Sequence, residues 1–165
     1  MGLFDFLKKE KPQEERHLVK EDFKVVGAHY HPNEIKRLQD ANPDWRKSGK
    51  AIVEEGKAGK RIYHYNYINK PVKIEVDDGS TYRKGALKVL IAGEHVGYIS
   101  DQDLKHVSEV LKTKSVKYVT ARIYGGEYKI IGDDGKAVKC PLVSEDGKQL
   151  KWEDEIKVSL RIAYA

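Results

Sequence analysis

The sequence predicts a mainly β, α+β domain in which a β-barrel or curved sheet carries two packed helices. About eight short apolar runs are separated by turn signals, and only two segments show helical spacing. The 165 residues, of which 39% are hydrophobic, are enough for one core but not for two independent ones. We therefore expect a single domain at 21–165 with a C-terminal strand extension, preceded by an amphipathic segment and linker at 1–20.

The first half of this domain alternates between strand and helix signals. In order, it predicts a strand closed by Gly27, a short helix, a pair of strands and a further strand: FKVVGAHY (23–30), PNEIKRLQD (32–40), KAIVEE (50–55) with RIYHYNYI (61–68), and PVKIEV (71–76). Pro32 falls in the first turn of the predicted helix, where proline is favoured. The basic stretch GKAGK between the paired strands predicts a mobile hairpin turn.

The second half contains the clearest hairpin of the chain. Its predicted strands are the two arms of ALKVLIAGEHVGYI (86–99), then VKYVTARIY (116–124), EYKII (127–131), AVKCPLV (137–143) and EIKVSLRIAYA (155–165). The hairpin arms meet at Ala92, Gly93 and Glu94. Ser100 and Asp103 resemble a capping box, so we expect a helix to follow the hairpin directly.

The distribution of charge is more informative than its total, a formal net charge of +5. Three stretches contain basic residues and no Asp or Glu: 56–74, 79–93 and 110–126. If these stretches converge in space, they form an anion-binding face; the alternative is a solvated surface of mixed lysines.

The sequence contains few signals for targeting or for thiol chemistry. No stretch approaches the roughly 18 uninterrupted apolar residues of a membrane span, and the start lacks the features of a secretory signal. We therefore expect a cytoplasmic protein without a membrane span. Cys140 is the only cysteine, which excludes an internal disulfide and favours a structural thiol.

Enzyme motifs are absent from the sequence, so we expect a protein that is not an enzyme and has no cofactor. The glycines near 49–57 do not have phosphate-loop spacing, and the acidic residues 153–155 are typical of a solvated turn. His29 and His31 would face the same way on a strand and are the best metal-ligand candidates, but no third ligand follows at a suitable spacing. A metal-dependent hydrolase is thus a third possibility behind two binding functions.

Tyr63, Tyr65 and Tyr67 fall on alternate positions, so an extended backbone would place all three rings on one side. Such a stripe is either part of the domain wall or a platform on which nucleic-acid bases stack. Ten tyrosines in the chain favour rings that tolerate water at one end, which fits both interpretations.

The order of these segments resembles the HIRAN domain, a small barrel found in helicase-like DNA-repair proteins and in stand-alone bacterial proteins. The resemblance covers about residues 22–131, from FKVVGAHY through RIYHYNYINKPVKIEV and YRKGALKVLIAGEHVGYI to RIYGGEYKII. It implies a barrel of about six or more strands, similar to an OB or SH3-like fold. It also implies DNA binding, in some members at the 3′ end of a single strand.

The resemblance also implies a set of nucleic-acid-binding residues. These are His29, Tyr30, Tyr82, Arg83, Lys84, Lys88 and Tyr98. Arg83 stands where the family has an Asp that accepts the terminal hydroxyl, and a guanidinium suits phosphate instead. Tyr30 and Tyr82 are expected to stack on bases, whereas Tyr63, Tyr65 and Tyr67 are expected to build the barrel wall.

Two functions from different classes remain. The first is a non-enzymatic module that holds single-stranded or frayed DNA by phosphate contacts and tyrosine stacking. The alternative is a protein-interaction module on the same barrel that has lost DNA binding and docks through MGLFDFL at 1–7.

Overall fold

Strands outweigh helices in residues 17–79, 84–138 and 156–165, which the computed structural model describes. The strands are β1 (Val19–Val26), β2 (Asp40–Ala41), β3 (Arg61–Tyr63), β4 (Tyr65–Asn66), β5 (Val72–Val76), β6 (Leu87–Ile91), β7 (Glu94–Ile99), β8 (Val116–Gly125), β9 (Tyr128–Ile131), β10 (Ala137–Val138) and β11 (Ile156–Tyr164). The prediction of a mainly β, α+β fold is confirmed.

The helices are α1 (Pro32–Leu38), α2 (Gly49–Glu54) and α3 (Asp101–Thr113), with short 3₁₀ turns at Ala28–Tyr30 and Pro43–Arg46. The helices predicted at the sites of α1 and α3 are confirmed. At the start of α3, Ser100 donates to the Asp103 carboxylate over 2.9 Å instead of capping the backbone.

The prediction of a strand at 50–55 is wrong, because this segment forms α2. Ser48 caps the helix by accepting a hydrogen bond from the Ala51 N–H over 3.2 Å. Ile52 is completely buried, so tertiary packing overrides the strand preference of its β-branched side chain. The hairpin predicted at 50–68 does not exist.

Six strands form an antiparallel sheet in the order β5-β6-β7-β1-β11-β8. The edge strands β5 and β8 come within 8 Å of each other between Cα atoms, so the sheet is curved as in an open barrel. Among the described residues no ladder joins these two edges. Strand β11, predicted as a C-terminal extension, is an interior strand of the sheet, between β1 and the edge strand β8.

The main core fills the concave side of this sheet. Alternate residues of β11 and β6 are buried there with the inner face of α3: Val158, Leu160, Ile162, Leu87, Val89, Ile91, Val107 and Val110. The period of two leaves the intervening residues of β11 on the opposite, outer face of the sheet.

A smaller core lies under a second sheet, which has the order β10-β9-β3. Its buried residues are Ile52 of α2, Ile62 of β3 and Ile131 of β9. The start of helix α2 lies close to the backbone at Gly135. A Cβ on Gly49 would lie 1.7 Å from the carbonyl oxygen of Gly135, so only glycine fits at position 49. This smaller core fixes the position of β3 and of the tyrosines that follow it.

The prediction of a strand closed by Gly27 is confirmed, but the placement of His29 and Tyr30 on a strand is wrong. Gly27 adopts a φ of 80° and ends β1 at Val26, so His29 and Tyr30 lie in a 3₁₀ turn. Within the described ranges, no helix is long and apolar enough to cross a membrane.

Candidate nucleic-acid interface

The outer face of β8 and β11 is polar and basic. In the antiparallel register, Lys157 lies opposite Tyr124 and Ser159 lies opposite Arg122. These side chains lie at least partly in solvent, whereas the alternate residues Val158 and Leu160 are buried in the core. The sheet therefore presents rings and cations side by side on its solvent face.

This face borders an open cleft of about 690 Å³, which we call the tyrosine cleft. It is lined by Arg61, Tyr63, Tyr65, Asn66, Tyr67, Ile68, Arg122, Ile123, Tyr124, Gly125 and Lys157. In the described part of the chain, the lining thus includes four tyrosines and three basic residues and no Asp or Glu. Such a surface attracts anions and offers flat rings in the same space.

The basic side chains of the cleft are oriented by aromatic rings. The Arg122 guanidinium lies 5.0 Å from the ring centroid of Tyr124, and that of Arg61 lies 4.7 Å from the Tyr128 centroid. Among the described residues, neither Arg122 nor Lys157 forms an ion pair with a carboxylate. Their charges remain available to a ligand.

Basic residues elsewhere are often neutralised. Arg37 forms two 2.9 Å hydrogen bonds with the Glu94 carboxylate, and this contact raises the pKa of the guanidinium and lowers that of Glu94. Lys47 lies 2.7 Å and Lys57 lies 2.6 Å from Asp44 carboxylate oxygens, and Lys47, then Lys57, lower the pKa of that acid. Arg122 and Lys157 therefore differ from these structural pairs.

The tyrosine side of the cleft is held by backbone hydrogen bonds around a bend at His64. Asn42 donates from its side-chain amide to the Tyr63 carbonyl over 2.8 Å and from its backbone N–H to the His64 carbonyl over 2.9 Å. The His64 N–H in turn donates to the Glu127 carbonyl over 2.9 Å. The segment that carries Tyr63 and Tyr65 is consequently fixed on both sides.

Two depressions continue the cleft along the sheet. One has a volume of about 270 Å³, shares Tyr124 and Lys157 with the cleft, and adds Lys24 and His29. The other shares Tyr67 and Arg122 with the cleft and adds Thr120, Ser159 and the ion pair of Asp22 with Arg161. The Arg161 guanidinium, 2.8 Å from the Asp22 carboxylate, lowers the pKa of that acid. Because each depression shares lining residues with the cleft, we call the three spaces together the groove.

The predicted pair His29 and Tyr30 lies near this groove. Their ring centroids are 4.0 Å apart, and Tyr30 is 77% exposed. His29 lines the depression beside Lys157, although it is not on a strand as predicted. Two neighbouring rings tilted by 41°, one of them well exposed, at the end of a basic groove are suitable for contact with a ligand.

The other predicted residues lie apart from the tyrosine cleft or outside the described ranges. Lys88 and Tyr98 are cross-strand partners, but Lys88 lies 3.7 Å from the Glu75 carboxylate and the Tyr98 hydroxyl donates to Asp77 over 2.9 Å. Lys84 is exposed in the turn before β6. Tyr82 and Arg83, like Cys140 and the segments 1–11 and 153–155, lie outside the described residues.

The histidines predicted as metal ligands contact different rings. His31 lies against His95, with centroids 4.4 Å apart, whereas His29 lies against Tyr30. Burial, and next the neighbouring His95, lower the pKa of His31. Over the ranges that the structure describes, no three His, Cys, Asp or Glu side chains are grouped to hold a metal ion.

Sequence reasoning missed Tyr124 and Lys157 as site residues. The alternation of polar and apolar residues in VKYVTARIY and EIKVSLRIAYA contained the signal, because it identifies the outward side chains of each strand. Two of the three predicted basic stretches do meet here, since 56–74 supplies Arg61 and 110–126 supplies Arg122. The partner from β11 comes from a part of the chain whose charge is nearly balanced.

The groove offers side chains that can recognise anions and flat rings. Flat tyrosine rings, guanidinium groups and a lysine ammonium are arranged along an open surface. No protein-family model, curated protein or solved structure matches the chain.

Proposed function

We propose that this protein is a non-enzymatic, HIRAN-like module that binds single-stranded or frayed DNA along the tyrosine cleft. One observation carries the proposal: among the described residues, four tyrosines and three basic residues line one cleft without any carboxylate. A cytoplasmic location forms part of the proposal, because the stand-alone bacterial proteins that the sequence resembles would meet DNA there.

The two ligand-binding features act on different parts of a nucleotide. Cations neutralise phosphates and release counterions, which gives affinity with little dependence on sequence. Each base that stacks on an aromatic ring adds about 1–3 kcal/mol, as judged by truncation of the ring. Bases inside a duplex are already stacked on one another, so tyrosine stacking selects unpaired segments.

The continuation of the cleft supports a ligand longer than one nucleotide. Lys24 and His29 extend the basic surface on one side, and the other side adds Thr120, Ser159 and the ion pair of Asp22 with Arg161. His29 and Tyr30, which the resemblance implies as binding residues, would then contact the strand as it leaves the cleft. Binding along a groove does not require a free 3′ end.

The proposal is tested by fluorescence-anisotropy titration of short labelled single strands against the full chain. Strands with a free or a phosphate-blocked 3′ end are compared at low and moderate salt, with a duplex of the same sequence as a control. We expect affinity that falls steeply with salt, is the same for both 3′ ends, and is weaker for the duplex.

Two results would contradict the proposal. Absence of binding at low salt would exclude nucleic acid and favour the protein-interaction alternative, in which deletion of residues 1–11 abolishes docking. A strong preference for the free 3′ hydroxyl would instead indicate end capture and move the site away from the tyrosine cleft.

A further inference from the structure

Tyr65 stands at the end of a stack of three aromatic rings. The ring centroids of Trp45 and His64 are 4.2 Å apart with planes inclined by 12°, and those of His64 and Tyr65 are 4.1 Å apart with planes inclined by 21°. These small angles describe nearly parallel, stacked rings. His64 therefore lies between the other two rings, and we call Trp45, His64 and Tyr65 the aromatic column.

The column is held at its far end and at its centre. The Lys129 ammonium donates to the Trp45 carbonyl over 2.6 Å and lies 4.9 Å from the centroid of the Trp45 ring. The His64 Nδ1 lies 3.1 Å from a Glu127 carboxylate oxygen. Together with the two hydrogen bonds that Asn42 donates to the carbonyls of Tyr63 and His64, these contacts determine where the Tyr65 ring lies before any ligand arrives.

The remaining tyrosines of the tyrosine cleft are engaged differently. The Tyr67 hydroxyl accepts the Lys70 N–H over 3.1 Å, and its ring packs against the main core. The Tyr124 ring is contacted by the Arg122 guanidinium, and the Tyr63 ring meets Tyr128 at a tilt of 58°. Among the described residues, Tyr65 is the one of these four tyrosines whose ring lies nearly parallel to another aromatic ring, and it also lines the cleft.

We propose that Tyr65 is the residue on which an unpaired nucleobase stacks, as the fourth ring of the aromatic column. His64 and Trp45 act as positioning residues, because they hold the Tyr65 ring without touching the ligand. A ring that is already fixed loses little rotamer freedom on binding, so more of its stacking free energy appears as affinity. This inference depends on the proposed function and specifies its base-stacking residue.

The inference is tested by anisotropy titration of a labelled single strand with four variants of the full chain. Tyr65→Leu is expected to weaken binding about 5- to 150-fold, as for loss of one stacked base. His64→Ala is expected to weaken binding in the same direction, and His64→Phe, which restores a flat ring, is expected to recover it. Tyr118→Leu is the matched control, since Tyr118 is a 39% exposed tyrosine on β8 outside the cleft.

A double variant separates positioning from general destabilisation. If His64 acts through Tyr65, adding His64→Ala to Tyr65→Leu produces little further loss of affinity. An equal loss in both backgrounds would overturn the positioning role. A two-dimensional amide NMR spectrum of each variant verifies that it is folded. If His64→Ala is not folded, the affinity of His64→Phe is compared with that of the unmodified chain instead.

The failure of this inference differs from failure of the proposed function. If Arg122→Gln weakens binding while Tyr65→Leu does not, the cleft binds nucleic acid but the base does not stack on the column. If the unmodified chain binds no single strand, both the proposed function and this inference are wrong.

Discussion

Replacement of Arg122 and Lys157 by glutamine tests the role of the charges in the tyrosine cleft. The cleft has three basic residues, and a single strand releases about 0.7 counterion equivalents per neutralised phosphate. If each basic residue neutralises one phosphate, log affinity against log salt has a slope of about −2 for the unmodified chain and about −0.7 for the double variant. Between about 50 and 200 mM salt, affinity then falls about 18-fold and about 3-fold, respectively.

The assay is anisotropy titration of one labelled single strand across that salt range. Lys36→Gln with Lys105→Gln is the matched control, because it removes the same charge at exposed positions on α1 and α3, away from the cleft. The control should keep the slope of about −2, apart from a small general effect of net charge. The reasoning is refuted if the cleft variant keeps its full salt dependence, or if the control loses as much.

Three further predictions concern the fold. Gly97→Ala should destabilise the protein by about 1–3 kcal/mol in urea unfolding, because its Cβ would lie 2.4 Å from the Val26 carbonyl oxygen; an unchanged midpoint would contradict this. Ile52→Ala, in the smaller core, should cost about 2–5 kcal/mol and accelerate amide exchange in β3 and β9 more than in the main sheet; uniform acceleration would show that the two cores unfold together. The third prediction concerns Glu21. The Tyr164 hydroxyl donates a hydrogen bond to the Glu21 carboxylate and lowers the pKa of that group more than His106 does. Because the pKa of Glu21 is lowered in the folded state, its ionised carboxylate stabilises the fold fully above the ordinary pKa of 4.5. This stabilisation is lost as the pH falls through the folded-state pKa. Tyr164→Phe should therefore lower stability near neutral pH and make it less sensitive to acid, and equal acid sensitivity of both chains would exclude this coupling.

Local patterns in the sequence were sufficient for most strands. The hairpin of β6 and β7 was predictable because a continuous apolar run breaks only at Ala92 and Gly93, where φ is 48° and 81°. The two helices with clear periodicity were also predictable. The segment 50–55 was not, because β-branched residues favour a strand, whereas the Ser48 cap and burial of Ile52 favour a helix.

The alternate spacing of Tyr63, Tyr65 and Tyr67 was visible in the sequence, but the positions of their rings in space were not. A uniform strand would place Tyr63, Tyr65 and Tyr67 on one side and His64 on the other. The chain instead bends at His64, which brings its ring against Tyr65 and into line with Trp45, nineteen positions earlier in the sequence. Neighbouring residues contain no information about such a contact.

By itself, the sequence determined the mainly β composition, the positions of its turns and the basic stretches that contain Arg61 and Arg122. These are properties of local spacing and side-chain type, which act over a few residues. Only the tertiary structure decided that β11 inserts between β1 and β8 and brings Lys157 beside Tyr124. Strand order depends on how several apolar faces are buried together, so it emerges from packing across the whole chain rather than from any single segment.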